Sequence, residues 1–306
     1  MTNSVRTLPI PKALPRPWSI PRPLGLLWLF CRRKPLGAIG GAIALGLIVM
    51  ALFANWIAPY SYDETIQGAR MKPPSAQFWM GTDNLGRDMF SRVVYGARVS
   101  VTVGFGAVLL ATFLATIIGI TSGYFGGKYD ILVQRVVDAW QSFPFLVIIL
   151  SLMAVLGPGL LNVIVALGIL GAAAASRVIR GATISVVQNP YIEAARALGC
   201  DHFRIISRYV FPNVAATIII LATIGLGGFI LAESALSFLG FGVPPPYPSW
   251  GAMLPGSGRS YMYRAPWMAL WPGVAISLAV FGFNMLGDAL RDVLDPRLRG
   301  AGGRVR

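Results

Sequence analysis

The chain has 306 residues, 55% of them hydrophobic and 12% charged, with a formal net charge of +14. A soluble domain carries roughly 25% charged residues, so this composition excludes an ordinary soluble protein and places the chain in the membrane class. The basic excess lies between the apolar runs, where membrane topology alone puts it, so nucleic acid is not an expected partner. Two cysteines, Cys31 and Cys200, and one histidine, His202, are too few for a zinc cluster or a disulfide framework.

Residues 1–35 are rich in Pro and Arg and end on the basic run Arg32-Arg33-Lys34. They read as an extended segment with a basic membrane-proximal end. The first apolar run, at 36–58, is long enough to span and reads as an uncleaved signal-anchor.

Six spans are predicted, each near the ~20 residues needed to cross ~30 Å of hydrocarbon. They run Leu36 to Ala58, Ser100 to Ser122, Ala139 to Leu156, Leu160 to Ile179, Val214 to Leu236 and Trp267 to Leu290. The third and fourth form one apolar stretch whose single charge, Arg177, lies near its end, divided into a helical hairpin by the turn signal Gly157-Pro158-Gly159. The spans must be helical, because unpaired backbone groups are too costly in lipid, and the runs lack the alternation of a barrel strand. The expected fold class is therefore all-α integral membrane.

With the N-terminus inside, the inside segments hold 19 Lys and Arg and the outside segments 7. The positive-inside rule then places both termini in the cytoplasm, 59–98 outside, and the segment after the fourth span inside. The expected organisation is a cytoplasmic segment 1–35, a first transmembrane helix 36–58, an outer loop 59–98, a five-helix core 99–290 and a cytoplasmic tail 291–306.

The inner loop 189–212 carries most of the functional information. Asn189 is a suitable N-cap and Pro190 suits the first helical position. Glu193 lies in the first turn, where the helix dipole favours an anion. Ala194, Ala195, Arg196 and Ala197 are strong helix formers. Gly199 suits a left-handed C-terminal cap, and Asp201 is placed to cap a second helix that Pro212 ends or hands to the fifth span. The product is a helix of about 13 Å, a glycine corner and a second arm. A short alanine-faced helix of this kind can enter a groove on another protein, with Glu193 and Arg196 pairing at its rim. A re-entrant cap or a plain connecting loop is the alternative.

The run Glu193-Ala194-Ala195, then Gly199, then a tail ending at Pro212, resembles the EAA motif of ABC-importer permeases. The tail departs from the family's Ile-x-Leu-Pro, reading Tyr209-Val210-Phe211-Pro212. Two stretches resemble the C-type permease of the peptide/nickel branch. One is Gly81-Thr82-Asp83-Asn84-Leu85-Gly86-Arg87-Asp88; the other runs from Ala232-Glu233-Ser234 to Gly242 and on to Leu254. The ending Asn284 to Asp288, with Asp295-Pro296-Arg297, fits the same branch.

This resemblance implies a type I importer fold in a bacterial inner membrane. It implies a second homologous permease chain, two ABC ATPase chains that hold ATP and Mg²⁺, and a substrate-binding protein outside. It implies ATPase coupling through Glu193, Ala194, Ala195, Arg196, Gly199, Asp201 and Pro212, and no catalysis or directly bound cofactor in this chain. Di- or oligopeptides are the implied substrates, with nickel complexes and glutathione as rivals.

The outer motif Gly81, Thr82, Asp83, Gly86, Arg87 and Asp88 reads either as a binding element or as a capped turn. In the second case Thr82 or Asp83 is the N-cap and Asp88 pairs with Arg87 or Arg92. Glu233, near the outer end of the fifth span, is a candidate for pathway or gate, or else is solvated or paired with an outer arginine. Gly126-Gly127-Lys128-Tyr129 fails as a phosphate loop, since Ser122 and Tyr129 stand where Gly and Ser/Thr are required. An ion-coupled carrier or channel is the alternative from another class. It predicts midspan ionisable relays, and the centres of these spans carry no charge.

Overall fold

The computed structural model describes residues 31, 32, 34–254 and 263–294. Most of the Pro/Arg-rich segment, residues 295–306 of the tail, and the Asp295-Pro296-Arg297 match lie outside the described residues. The compact unit begins at Leu36.

The helices in order are α1 (Pro35–Leu52), α2 (Ala54–Ile57), α3 (Met89–Phe125), α4 (Gly127–Gln141), α5 (Phe145–Leu156), α6 (Leu160–Val187), α7 (Pro190–Ala197) and α8 (His202–Ile205). A π turn, Ile206–Val210, leads into α9 (Phe211–Phe238), followed by α10 (Trp250–Met253) and α11 (Trp267–Leu294). Among the described residues the only strand pairing is the isolated bridge Thr82 to Asp88. The predicted all-α class holds.

Among the described residues, five helical runs are long and apolar enough to cross a membrane: α1, α3, α6, α8 through α9, and α11. The sixth crossing differs from the expected Ala139 to Leu156 helix. That stretch is split between the end of α4 and α5, which meet at an 88° bend. Pro144 explains the break, because it offers no N–H to α4 and forces Phe143 out of the helical region. Ser142 closes α4, its Oγ donating to the Asp138 carbonyl at 2.8 Å. With 12 residues, α5 is only about 18 Å long and is too short to cross by itself.

Packing shows that the bent pair must still recross the bundle. A Cβ on Gly106 would meet Ile164, one on Gly119 would meet Ile179, and one on Gly123 would meet Thr183. Residue numbers rise together, so α3 and α6 are parallel neighbours. Two consecutive long helices can be parallel only if the chain between them returns to the starting side, and α4 with α5 makes that return. The close α3–α6 approach needs glycine: a Cβ at Gly119 would lie 2.7 Å from the Ser176 carbonyl oxygen. Small residues at such seams let helix backbones touch.

The other long helices alternate in direction. A Cβ on Gly104 would meet Ile230, and Gly225 faces Val108, so α9 runs antiparallel to α3. Gly227 faces Asn284 and Gly287 faces Ile224, so α11 runs antiparallel to α9. Gly40 packs against Met285 and Gly282 against Ile43, which sets α1 antiparallel to α11. The start of α1, the end of α3, the start of α9 and the end of α11 therefore share one end of the bundle. The loop 189–210 lies there, and this is called the finger end below.

Helix lengths exceed the predicted spans. α3 begins at Met89, eleven residues before Ser100, and α6 runs on to Val187. The extra turns carry Arg92, Arg98 and Arg180, and a hydropathy reading stops at such charges although the helices do not. Large apolar side chains remain exposed along the outside, including Leu109 (67%), Phe113 (62%) and Leu161 (68%). A bilayer, or another apolar chain, is the environment those faces require.

Candidate functional site

The loop 189–212, called the finger, is built as the sequence predicts, with three amendments. Pro190 opens α7 at its first position, where a missing N–H costs nothing. Asn189 does not cap with its side chain. Its amide donates backward to the carbonyls of Ser185 and Val186, at 3.0 and 2.9 Å, and closes α6 instead. Gly199 has φ +77°, the left-handed conformation that costs other residues about 1–2 kcal/mol. Its N–H donates to the Arg196 carbonyl at 2.9 Å and that of Cys200 to the Ala195 carbonyl at 3.1 Å. These are the two bonds of a Schellman closure. Asp201 caps α8, accepting from the Phe203 N–H at 3.0 Å.

Pro212 hands the chain on to α9 without ending it. It sits in the first turn of α9, inside a continuous run from His202 to Phe238. The π turn just before it has Phe211 N–H donating to the Ile206 carbonyl, five residues back. A widened turn of this kind makes room for a ring that clashes with a regular helix and cannot donate.

The second amendment concerns which face is free. Ile192 and Ala195 are buried against Ile120, Tyr124, Ile179 and Ile205. Ala195 therefore holds the finger to the bundle, while Glu193, Ala194 and Ala197 face outward. Beside them Leu198 is 84% and Phe203 77% exposed, an apolar pair on either side of the glycine corner. Third, no bond joins Glu193 to Arg196 among the described residues. The Arg196 guanidinium lies over the Tyr124 ring, 5.3 Å from its centre.

Sequence reasoning missed two residues here. Tyr124, at the end of α3, places its hydroxyl 2.8 Å from Nδ1 of His202. His202 also meets the ring of Phe125 edge-on at 5.7 Å. The pair is 78 residues apart, and only the singularity of His202 marked it in the sequence.

The α4 helix is clamped beside the finger end. Asp130 accepts from Arg180 of α6, whose Nε lies at 2.6 Å, and from Ser122. Asp138 accepts from Arg177. The guanidinium of Arg180 and the Ser122 hydroxyl converge on Asp130, so the first two turns of α4 are fixed to both α3 and α6.

At the opposite end, the outer motif is a closed turn. Gly81 and Gly86 have positive φ, +75° and +86°. Asp83 accepts from the N–H groups of Leu85 and Arg87 at 2.8 and 2.9 Å and from Arg87 Nε at 2.6 Å. Arg92 lies 3.7 Å from the same carboxylate. Asp88 caps α3 through the Ser91 N–H at 2.7 Å. The expected roles are thus exchanged: Asp88 is the cap and Asp83 the ion-pair partner. Thr82 donates to Ala69, accepts from Lys72 N–H at 2.8 Å, and receives Trp267 Nε1 on its carbonyl at 3.0 Å. Thr82, Asp83 and Asp88 are buried, and their bonds close the turn and tie it to the start of α3 and to Trp267 of α11.

Glu233 is neither solvated nor paired with arginine. It is fully buried and accepts from Ser237 at 2.7 Å, Ser100 at 3.1 Å and Ser234 at 3.4 Å, with Ser249 also bonded. These hydroxyls come from α9, α3 and the cap of α10. Trp250, next to Ser249, donates Nε1 to the Val93 carbonyl at 2.9 Å. The short α10 is thereby wedged between α3 and α9.

Comparison with known proteins places this architecture. Residues 115–300 match the family model described as binding-protein-dependent transport system inner membrane component. Residues 23–74 match the N-terminal TM domain of oligopeptide transport permease C. The chain is 42% identical over 268 residues to the dipeptide transport system permease protein DppC of Alkalihalophilus pseudofirmus, covering 88% of each chain. It is 39% identical over 279 residues to the glutathione transport system permease protein GsiD of Escherichia coli, covering 89% of this chain and 90% of that one. The fold is similar to a chain of the MetNI methionine ABC transporter in an inward-facing conformation. The TM-score is 0.55 at 19% identity, over 68% of this chain and 98% of that one. The chain therefore belongs to the binding-protein-dependent transport system inner membrane components, the permeases of ABC importers with the type I fold.

Proposed function

We propose that this permease imports di- or oligopeptides, pairing with a second homologous permease chain beneath a substrate-binding protein. Two ABC ATPase chains bind ATP and Mg²⁺ and take hold of the finger formed by 189–212. The observation that carries the coupling role is the exposed Leu198 and Phe203 beside Glu193, Ala194 and Ala197. Apolar side chains so exposed at a loop corner need a partner surface to cover them, and the buried Ile192 and Ala195 anchor the finger against recoil. The finger end is assigned to the cytoplasm of a bacterial inner membrane by the excess of Lys and Arg in the segments on that side.

The peptide assignment is supported by the similarity to a dipeptide permease. Glutathione, itself a tripeptide, is the second reading, favoured by the 39% identity to a glutathione permease. This chain catalyses no covalent reaction in either case. Alternating access follows when nucleotide favours one conformation of the ATPase pair and the finger transfers that preference to the bundle. Glu233 acts as a structural knot of the non-finger end, not as a group in the pathway. The Gly81 to Asp88 turn likewise holds the start of α3 in place.

The test is uptake by the complete transporter in proteoliposomes supplied with labelled dialanine or labelled glutathione. ATP-dependent accumulation of dialanine supports peptide import. Accumulation of glutathione alone supports the second reading, and accumulation without any ATPase chain overturns both.

A further inference from the structure

We propose that Tyr124 is the positioning residue that ties the finger to α3, so that displacement of the finger is delivered to α3 and not absorbed in the loop. This inference rests on the reading that the finger docks on an ATPase.

Both arms of the finger converge on this one side chain. Arg196, on α7, lies over the Tyr124 ring at 5.3 Å. His202, in the first turn of the second arm, meets the Tyr124 hydroxyl at 2.8 Å and the ring edge-on at 5.7 Å. The glycine corner at Gly199 lies between these two residues. Tyr124 thus bridges the angle that Gly199 creates, and it fixes that angle relative to α3.

The remaining contact under the finger is apolar. Ile192, Ala195 and Ile205 pack with Ile120 and Ile179. Such burial is non-directional and tolerates sliding. The hydrogen bond and the cation–ring contact are directional and set a register. Tyr124 itself is only 6% exposed, while its partners Arg196 and His202 lie on the exposed side of the finger.

What Tyr124 is attached to makes the contact consequential. α3 is one unbroken helix of 37 residues, about 55 Å long, which exceeds the ~30 Å hydrocarbon layer. Its far end carries the Asp88 cap, and one helical face nearer that end carries Ser100 bonded to Glu233. A rigid element with contacts at both ends can carry coupling between them.

The experiment uses the complete transporter in proteoliposomes with whichever probe the wild type accumulates, labelled dialanine or labelled glutathione. Tyr124→Phe removes the hydroxyl and keeps the ring. The measurements are ATPase retained in the complex and probe taken up per ATP hydrolysed. Retained ATPase with uptake per ATP lowered about fivefold is expected, the factor one neutral hydrogen bond is worth. The exchange Tyr124→His with His202→Tyr rebuilds the pair in reverse and is expected to recover most of the loss. Unchanged uptake per ATP in Tyr124→Phe overturns the proposal. So does loss of the assembled complex in that variant, which makes the contact one of stability, and so does an intact exchange variant as poor as the single one. The docking reading fails separately, if the wild-type finger cannot be cross-linked to an ATPase chain.

Discussion

The Ser100 hydroxyl donates to the Glu233 carboxylate at 3.1 Å across 133 residues of sequence, joining α3 to α9 inside the bundle. Ser237, four residues on from Glu233, donates to the other carboxylate oxygen at 2.7 Å. The carboxylate is thus the shared acceptor for hydroxyls on two helices and on the α10 cap.

Glu233→Ala should lower thermal stability of the purified chain more than Glu233→Gln. Alanine strands several buried hydroxyls, at about 1–3 kcal/mol for each group left unsatisfied, whereas glutamine keeps a carbonyl acceptor. Unfolding in detergent, followed by tryptophan fluorescence or loss of monodispersity, measures the difference. Equal loss in both variants would contradict the knot.

Asp83→Ala should destabilise the non-finger end by about 3 kcal/mol, in the range for breaking a buried ion pair. It leaves Arg92 buried without its carboxylate and releases the Leu85 and Arg87 N–H groups. Limited proteolysis within 59–98 should become faster, while cleavage in the finger stays unchanged. Asp83→Asn should be milder, since its amide oxygen can still accept from the backbone.

Gly199→Ala should leave the chain inserted and lower uptake. The left-handed corner costs a Cβ-bearing residue about 1–2 kcal/mol, so the angle between α7 and α8 opens. Gly199→Asn should retain more uptake, since asparagine tolerates this conformation better. No Cβ neighbour lies within 4 Å of Gly199, so the effect is one of backbone geometry alone. Similar uptake in the Ala and Asn variants would contradict it.

Gly119→Leu should separate α3 from α6. Even the first side-chain atom would stand 2.7 Å from the Ser176 carbonyl oxygen and 2.8 Å from the Ile179 Cβ, and overpacking typically costs about 1–3 kcal/mol. Because α6 carries Arg177 and Arg180, the clamp on α4 should loosen with it. A disulfide trap between α3 and α6, formed efficiently with Gly119 and poorly with leucine, reads this out.

Much of the fold was legible in the sequence because hydropathy and turn chemistry are local. Gly157-Pro158-Gly159 does separate α5 from α6, with Gly157 and Gly159 both at positive φ. Gly199 does close α7 and Asp201 does open α8. The bend after α4 was hidden because residues 139–156 read as one apolar run, although Pro144 marked the break. The end of α6 was hidden by Arg180, which pairs with Asp130 of a different helix, and the start of α3 by Arg92 and Arg98. The environments of Glu233 and Tyr124 were out of reach for another reason. Their partners lie 133 and 78 residues away, and no local pattern encodes which helices become neighbours.

The most direct test of the central claim is site-specific cross-linking of the finger to an ATPase chain. With Cys31 and Cys200 changed to serine, Leu198→Cys places a thiol at the exposed corner. The thiol is labelled with a short thiol-directed photo-crosslinker, which can insert into any side chain it touches, and the complete transporter is irradiated with and without ATP. The predicted result is a covalent adduct between this chain and an ATPase chain whose yield changes with nucleotide. An adduct obtained from Leu85→Cys at the opposite end, with none from Leu198→Cys, would contradict the account.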